Sequence, residues 1–160
     1  MKKEAKSYVY ETPPISSKYD GPKFDAHVHL GNMKGLPNLV KFREEFNIQK
    51  SIGIVWDDNN EELEKKFPDK FLLAKYFRSK HMFDASSDSK LLTDEIKQIY
   101  QQGFPIVKFW FGPRVRDYIK DYYKIETKEI HLSDPLFKSI FAKMEELGLI
   151  LLIHTLTPLP

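Results

Sequence analysis

Short apolar runs alternate with stretches of helical periodicity along the whole of this chain, and that alternation decides what it can fold into. Residues 23–29, 51–56, 71–77, 105–111 and 149–154 are near-continuous apolar segments of strand length. Between them lie four helical patterns. Leu39, Phe42 and Phe46 recur at helical spacing over 36–46. Asn60 can cap a short, acidic-first helix that runs to about Phe67. Leu92, Ile96 and Ile99 form a stripe over 90–102, with Gly103 suited to its C-terminal cap. Leu136, Ile140, Met144 and Leu147 form another, with Asp134 as the cap, Pro135 in the first turn and Gly148 beyond the end. Strands of this kind, each followed by a helix, predict a parallel sheet covered by helices. No G-x-G-x-x-G opens any helix, so the dinucleotide-binding version has no support. A (β/α) barrel of the TIM type is the better fit, and in such barrels chemistry sits at the C-terminal ends of the strands.

The remaining segments read as connections. Residues 1–22 form an extended lead-in, because Pro13-Pro14 and Gly21-Pro22 forbid a helix there. Residues 23–160 form the barrel domain. Residues 79–88 make a polar loop. Residues 112–133 make a second one, far longer than the ~2–6 residues usual for a βα connection. It carries Arg114, Arg116, Tyr118, Tyr122 and Tyr123, and is read either as a cover over a substrate, with arginines that grip a carboxylate, or as a partly helical insertion that packs its tyrosines on the barrel rim.

Composition removes several functions. The chain has 160 residues, room for one domain, and a formal net charge of +2, which gives no electrostatic case for nucleic acid or an anionic membrane. It has no cysteine, so a metal would have to use His, Asp or Glu. No apolar run approaches the ~20 residues of a membrane span and no apolar segment follows Lys2 and Lys3, so a cytoplasmic protein is expected.

The residues that carry chemistry stand at strand ends. His27 and His29 flank Val28, and side chains at i and i+2 of an extended strand leave the same face. Two neutral imidazoles so placed can share a metal ion. His154 ends the fifth apolar run. Asp25 precedes His27 by two residues and is read either as an acceptor orienting a ligand histidine or as a local hydrogen-bonding group at the strand entry. Lys108 lies inside the fourth run, where a charge wants a partner. His81 and His131 fall in the loops after the third and fourth runs.

Residues 24–30, Phe-Asp-Ala-His-Val-His-Leu, resemble the first-strand signature of the amidohydrolase superfamily. Residues 103–109 resemble the fourth-strand segment of its amidohydrolase-related branch, and Asp134-Pro135-Leu136-Phe137 followed by 146–155 resembles the fifth βα unit. The resemblance runs in order over residues 23–157. It implies a distorted TIM barrel binding one or two divalent metals, zinc first and manganese as an alternative, with His27, His29 and His154 as ligands. It further implies a metal-dependent hydrolase or decarboxylase, acting on a small carbonyl or carboxylate substrate through a metal-activated water, with no catalytic residue assigned. Beside the resemblance, Lys108 is read as a structural or substrate-facing lysine and Arg114 of the long loop as a substrate-binding residue. In some branches a fourth-strand lysine is carbamylated and bridges two metals. Related H-x-H deoxyribonuclease-like or phosphoesterase-like barrels are disfavoured, since the fourth strand offers Lys108 where they prefer acidic ligands. The family's sixth-strand histidine and eighth-strand aspartate have no counterpart here, so only about the first five βα units are expected. The alternative function is a truncated or partner-dependent half barrel, completed in a homo-oligomer or by a complementing chain and without independent activity.

Overall fold

A computed structural model describes residues 21–30, 36–56 and 60–155. All but the last two residues of the lead-in expected over 1–22 lie outside that set, as do the loop glycines Gly31 and Gly35. The elements run in the order β1 (Lys23–His29), α1 (Leu36–Glu45), β2 (Ile48–Val55), α2 (Asn60–Lys66), β3 (Phe71–Tyr76), α3 (Ser79–Phe83), α4 (Ser89–Gln101), β4 (Ile106–Phe111), α5 (Pro113–Tyr123), α6 (Pro135–Glu146) and β5 (Ile150–Thr155). The five strands are all parallel and hydrogen-bond in chain order, β1-β2-β3-β4-β5. The sheet curls through 236° into an open half-barrel, consistent with an incomplete TIM-type arrangement. Among the described residues, no helix is long and apolar enough to cross a membrane.

The curl gives the sheet two unlike faces. The convex face, with Val107, Phe109 and Phe111 of β4 and Leu73 of β3, packs under the helices together with Leu92, Ile96 and Ile99 of α4 and Phe137, Ile140 and Met144 of α6. Full burial of each such side chain stabilises the fold by about 1.5–3 kcal/mol relative to exposure. The concave face is thinner. Ile54, Ala74 and Ile106 form its buried centre, with Ile52, Tyr76 and Leu152 packed beside them. Lys108 follows Ile106 by two residues on this face, in register with Tyr76 on one side and Leu152 on the other.

Two of the connecting segments carry helices, and for residues 112–133 the partly helical reading is the one seen. The N-terminal half of the expected 112–133 loop is the helix α5, so the insertion is partly helical. Its Tyr118 lies 5.6 Å from Trp110 between ring centroids, and Tyr122 stacks on Tyr118 at 5.4 Å, so the tyrosines do pack on the rim. The 79–88 loop likewise contains the short α3. Asp134 does precede α6, but its carboxylate accepts from the His131 N–H at 2.8 Å and makes no cap bond to the helix.

Helix α1 departs most from its apolar pattern. Phe42 and Phe46 are 51% and 45% exposed and rest on each other at 4.4 Å, while Arg43 is buried. The helix turns Arg43 inward because the guanidinium satisfies two backbone carbonyls, Lys70 at 2.9 Å and Ile48 at 3.3 Å, and lies 4.7 Å from the centre of the Phe71 ring. Charge-assisted bonds to carbonyls that would otherwise be dry outweigh the exposure of two phenylalanines.

Candidate functional site

The C-terminal end of β1 is shaped by an irregularity. Asp25 pairs with Ser51 and Val28 with Gly53, so β1 carries one more residue than β2 between those pairs. This is a β-bulge, which bends a strand and re-aims its side chains. The Asp25 carboxylate takes up the His27 N–H at 3.0 Å, a backbone donor placed within the irregular stretch. The spacing of two residues between Asp25 and His27 predicts one shared face in an unbroken strand; with the bulge, Asp25 falls by register on the face of Val28 instead, which corrects that expectation. Its local role at the strand entry is the one seen.

Beyond the bulge, His27 and His29 do leave the strand together. Their Nε2 atoms are 3.1 Å apart and their ring centroids 5.1 Å. His154, at the end of β5 and in register with Trp110, comes to 6.0 Å from His27 between ring centroids, edge to face. The curl of the sheet thus brings its first and last strands to one rim. His29 stacks against Trp56 at 6.1 Å, and Trp56 against Tyr76 at 4.0 Å, which makes an aromatic wall on one side of the pair.

The electrostatics favour neutral rings. Desolvation, the field of Lys108 and the neighbouring histidines lower the pKa of His27, with Asp25 opposing; desolvation, Lys108 and His154 lower that of His29. Lys108 itself is 2% exposed, and its Nζ has no hydrogen-bond partner among the described residues. Burial pushes its amine down to about 8.

Two imidazoles that share a tetrahedral zinc at ~2.0–2.1 Å hold their nitrogens roughly 3.3 Å apart, so the 3.1 Å between His27 and His29 has the span of a ligand pair. The third ligand is less well placed. Among the described residues no group of three or more His, Asp or Glu is arranged so that it could hold a metal ion, and His154 stands edge-on beside the converging pair.

The other singled-out residues lie apart from this rim or differ in setting. Arg114 is exposed in the first turn of α5. Arg116 pairs with Asp117 at 3.0 Å. His131 is exposed, with its backbone tied to Asp134. His81 is held by Glu95, Nδ1 to Oε2 at 2.5 Å. Sequence reasoning missed Glu95 and the Trp56–Tyr76 wall, because nothing in a one-dimensional pattern ties a mid-helix glutamate to a loop histidine fourteen residues earlier. Comparison with protein-family profiles, curated proteins and solved structures finds no match to this chain.

Proposed function

We propose that the rim formed by His27, His29 and His154 is a divalent-metal site of the amidohydrolase kind, serving hydrolysis or decarboxylation of a small carbonyl or carboxylate substrate. The observation that carries this reading is the convergence of the His27 and His29 Nε2 atoms at 3.1 Å at the C-terminal end of β1 in a parallel half-barrel, the end at which TIM-type enzymes place their chemistry. Their lowered pKa values keep the rings in the neutral form that ligates metal. His27, His29 and His154 would hold a zinc or manganese ion, which would supply a water acidified toward neutrality and a Lewis acid for a carbonyl oxygen. The chain's own groups do the rest. The bulge at Asp25 aims the histidine pair. Trp56 and Tyr76 line one side, and Lys108, buried below the rim, lends positive potential that favours a carboxylate.

Metal content of the purified chain tests this directly. About one equivalent per chain is expected, lost in His27→Ala and reduced in His154→Ala while circular dichroism stays unchanged. A folded parent that takes up no zinc or manganese would sink the proposal. Among the described residues the outer edges of β1 and β5 are unpaired, which favours a second reading, in which the rim closes only when further strands add to the half-barrel. In that case uptake would rise with association state rather than with metal concentration alone.

A further inference from the structure

A separate pocket of about 560 Å³ opens beside the C-terminal end of β3, between that strand and helix α4. Its volume is that of a small-molecule site. It contains a histidine–carboxylate dyad: Glu95 of α4 accepts from or shares a proton with His81 Nδ1 at 2.5 Å, while its other oxygen accepts the Arg78 N–H at 3.2 Å. Both dyad side chains are mostly covered, with 28% of His81 and 15% of Glu95 exposed. A carboxylate at Nδ1 fixes the imidazole's tautomer and orientation and leaves Nε2 as an acceptor.

The charges around the pocket are unevenly committed. Asp88 spends its carboxylate on the Leu91 N–H at 2.8 Å. Asp94 is held by Lys97 at 3.1 Å and Lys90 at 3.7 Å. Glu95 is taken by the dyad. Arg78 and His81 both line the pocket, and among the described residues no hydrogen bond or ion pair engages the Arg78 guanidinium or His81 Nε2. A cationic side chain and a histidine held by a carboxylate therefore line one pocket, with the apolar Leu91 beside them. An arginine fork suits an oxyanion, and an unpaired imidazole nitrogen suits a hydroxyl.

We propose that this pocket binds a small hydroxylated anion, with its carboxylate or phosphate on Arg78 and its hydroxyl donating to His81 Nε2. The site shares no ligand with the histidine rim and does not depend on a metal there. The β3 residue Tyr76 borders the pocket, while its ring packs against Trp56 on the rim side.

The test is NMR of the histidine rings in the full chain, titrated separately with lactate, glycerol 3-phosphate and acetate. Saturable movement of the His81 signals with lactate or glycerol 3-phosphate is expected, and whichever binds tells a carboxylate from a phosphate anchor. Arg78→Gln should weaken that binding by about tenfold or more, the size of one lost charged hydrogen bond. Arg78 is exposed, so the variant should fold, and Glu95→Gln provides a second handle by releasing the ring and erasing the preference for hydroxylated probes over acetate. His81 signals unmoved by both hydroxylated probes would overturn the site. Binding undiminished in Arg78→Gln would overturn the anchor, and acetate binding as tightly as lactate would overturn the role of His81.

Discussion

Lys108 is a buried charge that costs the fold stability. Its ammonium sits on the concave face among apolar neighbours, without a hydrogen-bond partner among the described residues. Burial lowers its pKa to about 8, against roughly 10.4 for an unperturbed lysine. Between those values the unfolded chain holds a proton that the folded chain has released, so stability rises with pH across that window. Below about pH 8 the cost is present in full. Lys108→Met should therefore stabilise the fold at neutral pH by on the order of 2–3 kcal/mol and abolish the rise at alkaline pH, as read by urea unfolding. A variant less stable than the parent would mean that the amine has a partner in solution. The sequence marked Lys108 as a charge within an apolar strand, and position alone was enough for that. Asp25 was harder to read. One extra residue in a strand leaves the local pattern intact while moving a side chain to the other face, so the bulge became visible only in the pairing with Ser51 and Gly53.

At the level of elements, the strands and the two best-signalled helices were legible because several local preferences agreed. In α4 the stripe of Leu92, Ile96 and Ile99 and the glycine after it, Gly103 with a φ of 81°, specify one helix with one buried side, and the structure adds a cap at Asp88 that the sequence reading left in the preceding loop. Asp88→Ala should cost about 1 kcal/mol through the lost bond to the Leu91 N–H, seen as a lower Tm with unchanged helicity at low temperature. Helix α1 shows where such reading stops. Phe42 and Phe46 suggested its buried side, but Lys70 and Ile48, remote in sequence or across a turn, offered carbonyls that drew Arg43 inward. Hydrogen-bond demand from elsewhere in the fold cannot be seen in a window of helical periodicity. The same reason hid the pairing of His81 with Glu95 and left His154 aligned with the first strand only by family resemblance.

For the whole molecule the open half-barrel is the dominant fact. Among the described residues β1 pairs only with β2 and β5 only with β4, so each presents an unpaired backbone edge. Apolar side chains are exposed along these strands, Phe24 at 52% and Ile150 at 59%. Such edges invite further strands. We expect light scattering to report a mass above that of one chain as concentration rises, and Ile150→Lys to shift the population toward monomer. A strictly monomeric parent at high concentration would show that the edges are protected.

The identity of strand order and chain order bears on how the molecule is made. Each strand needs only its immediate predecessor as a template, so the sheet can grow in step with synthesis, one βα unit at a time. The histidine rim does not follow that schedule. It joins the first strand to the fifth, and a nascent chain halted after β4 would have most of its core and the His27–His29 pair, but no third imidazole beside it.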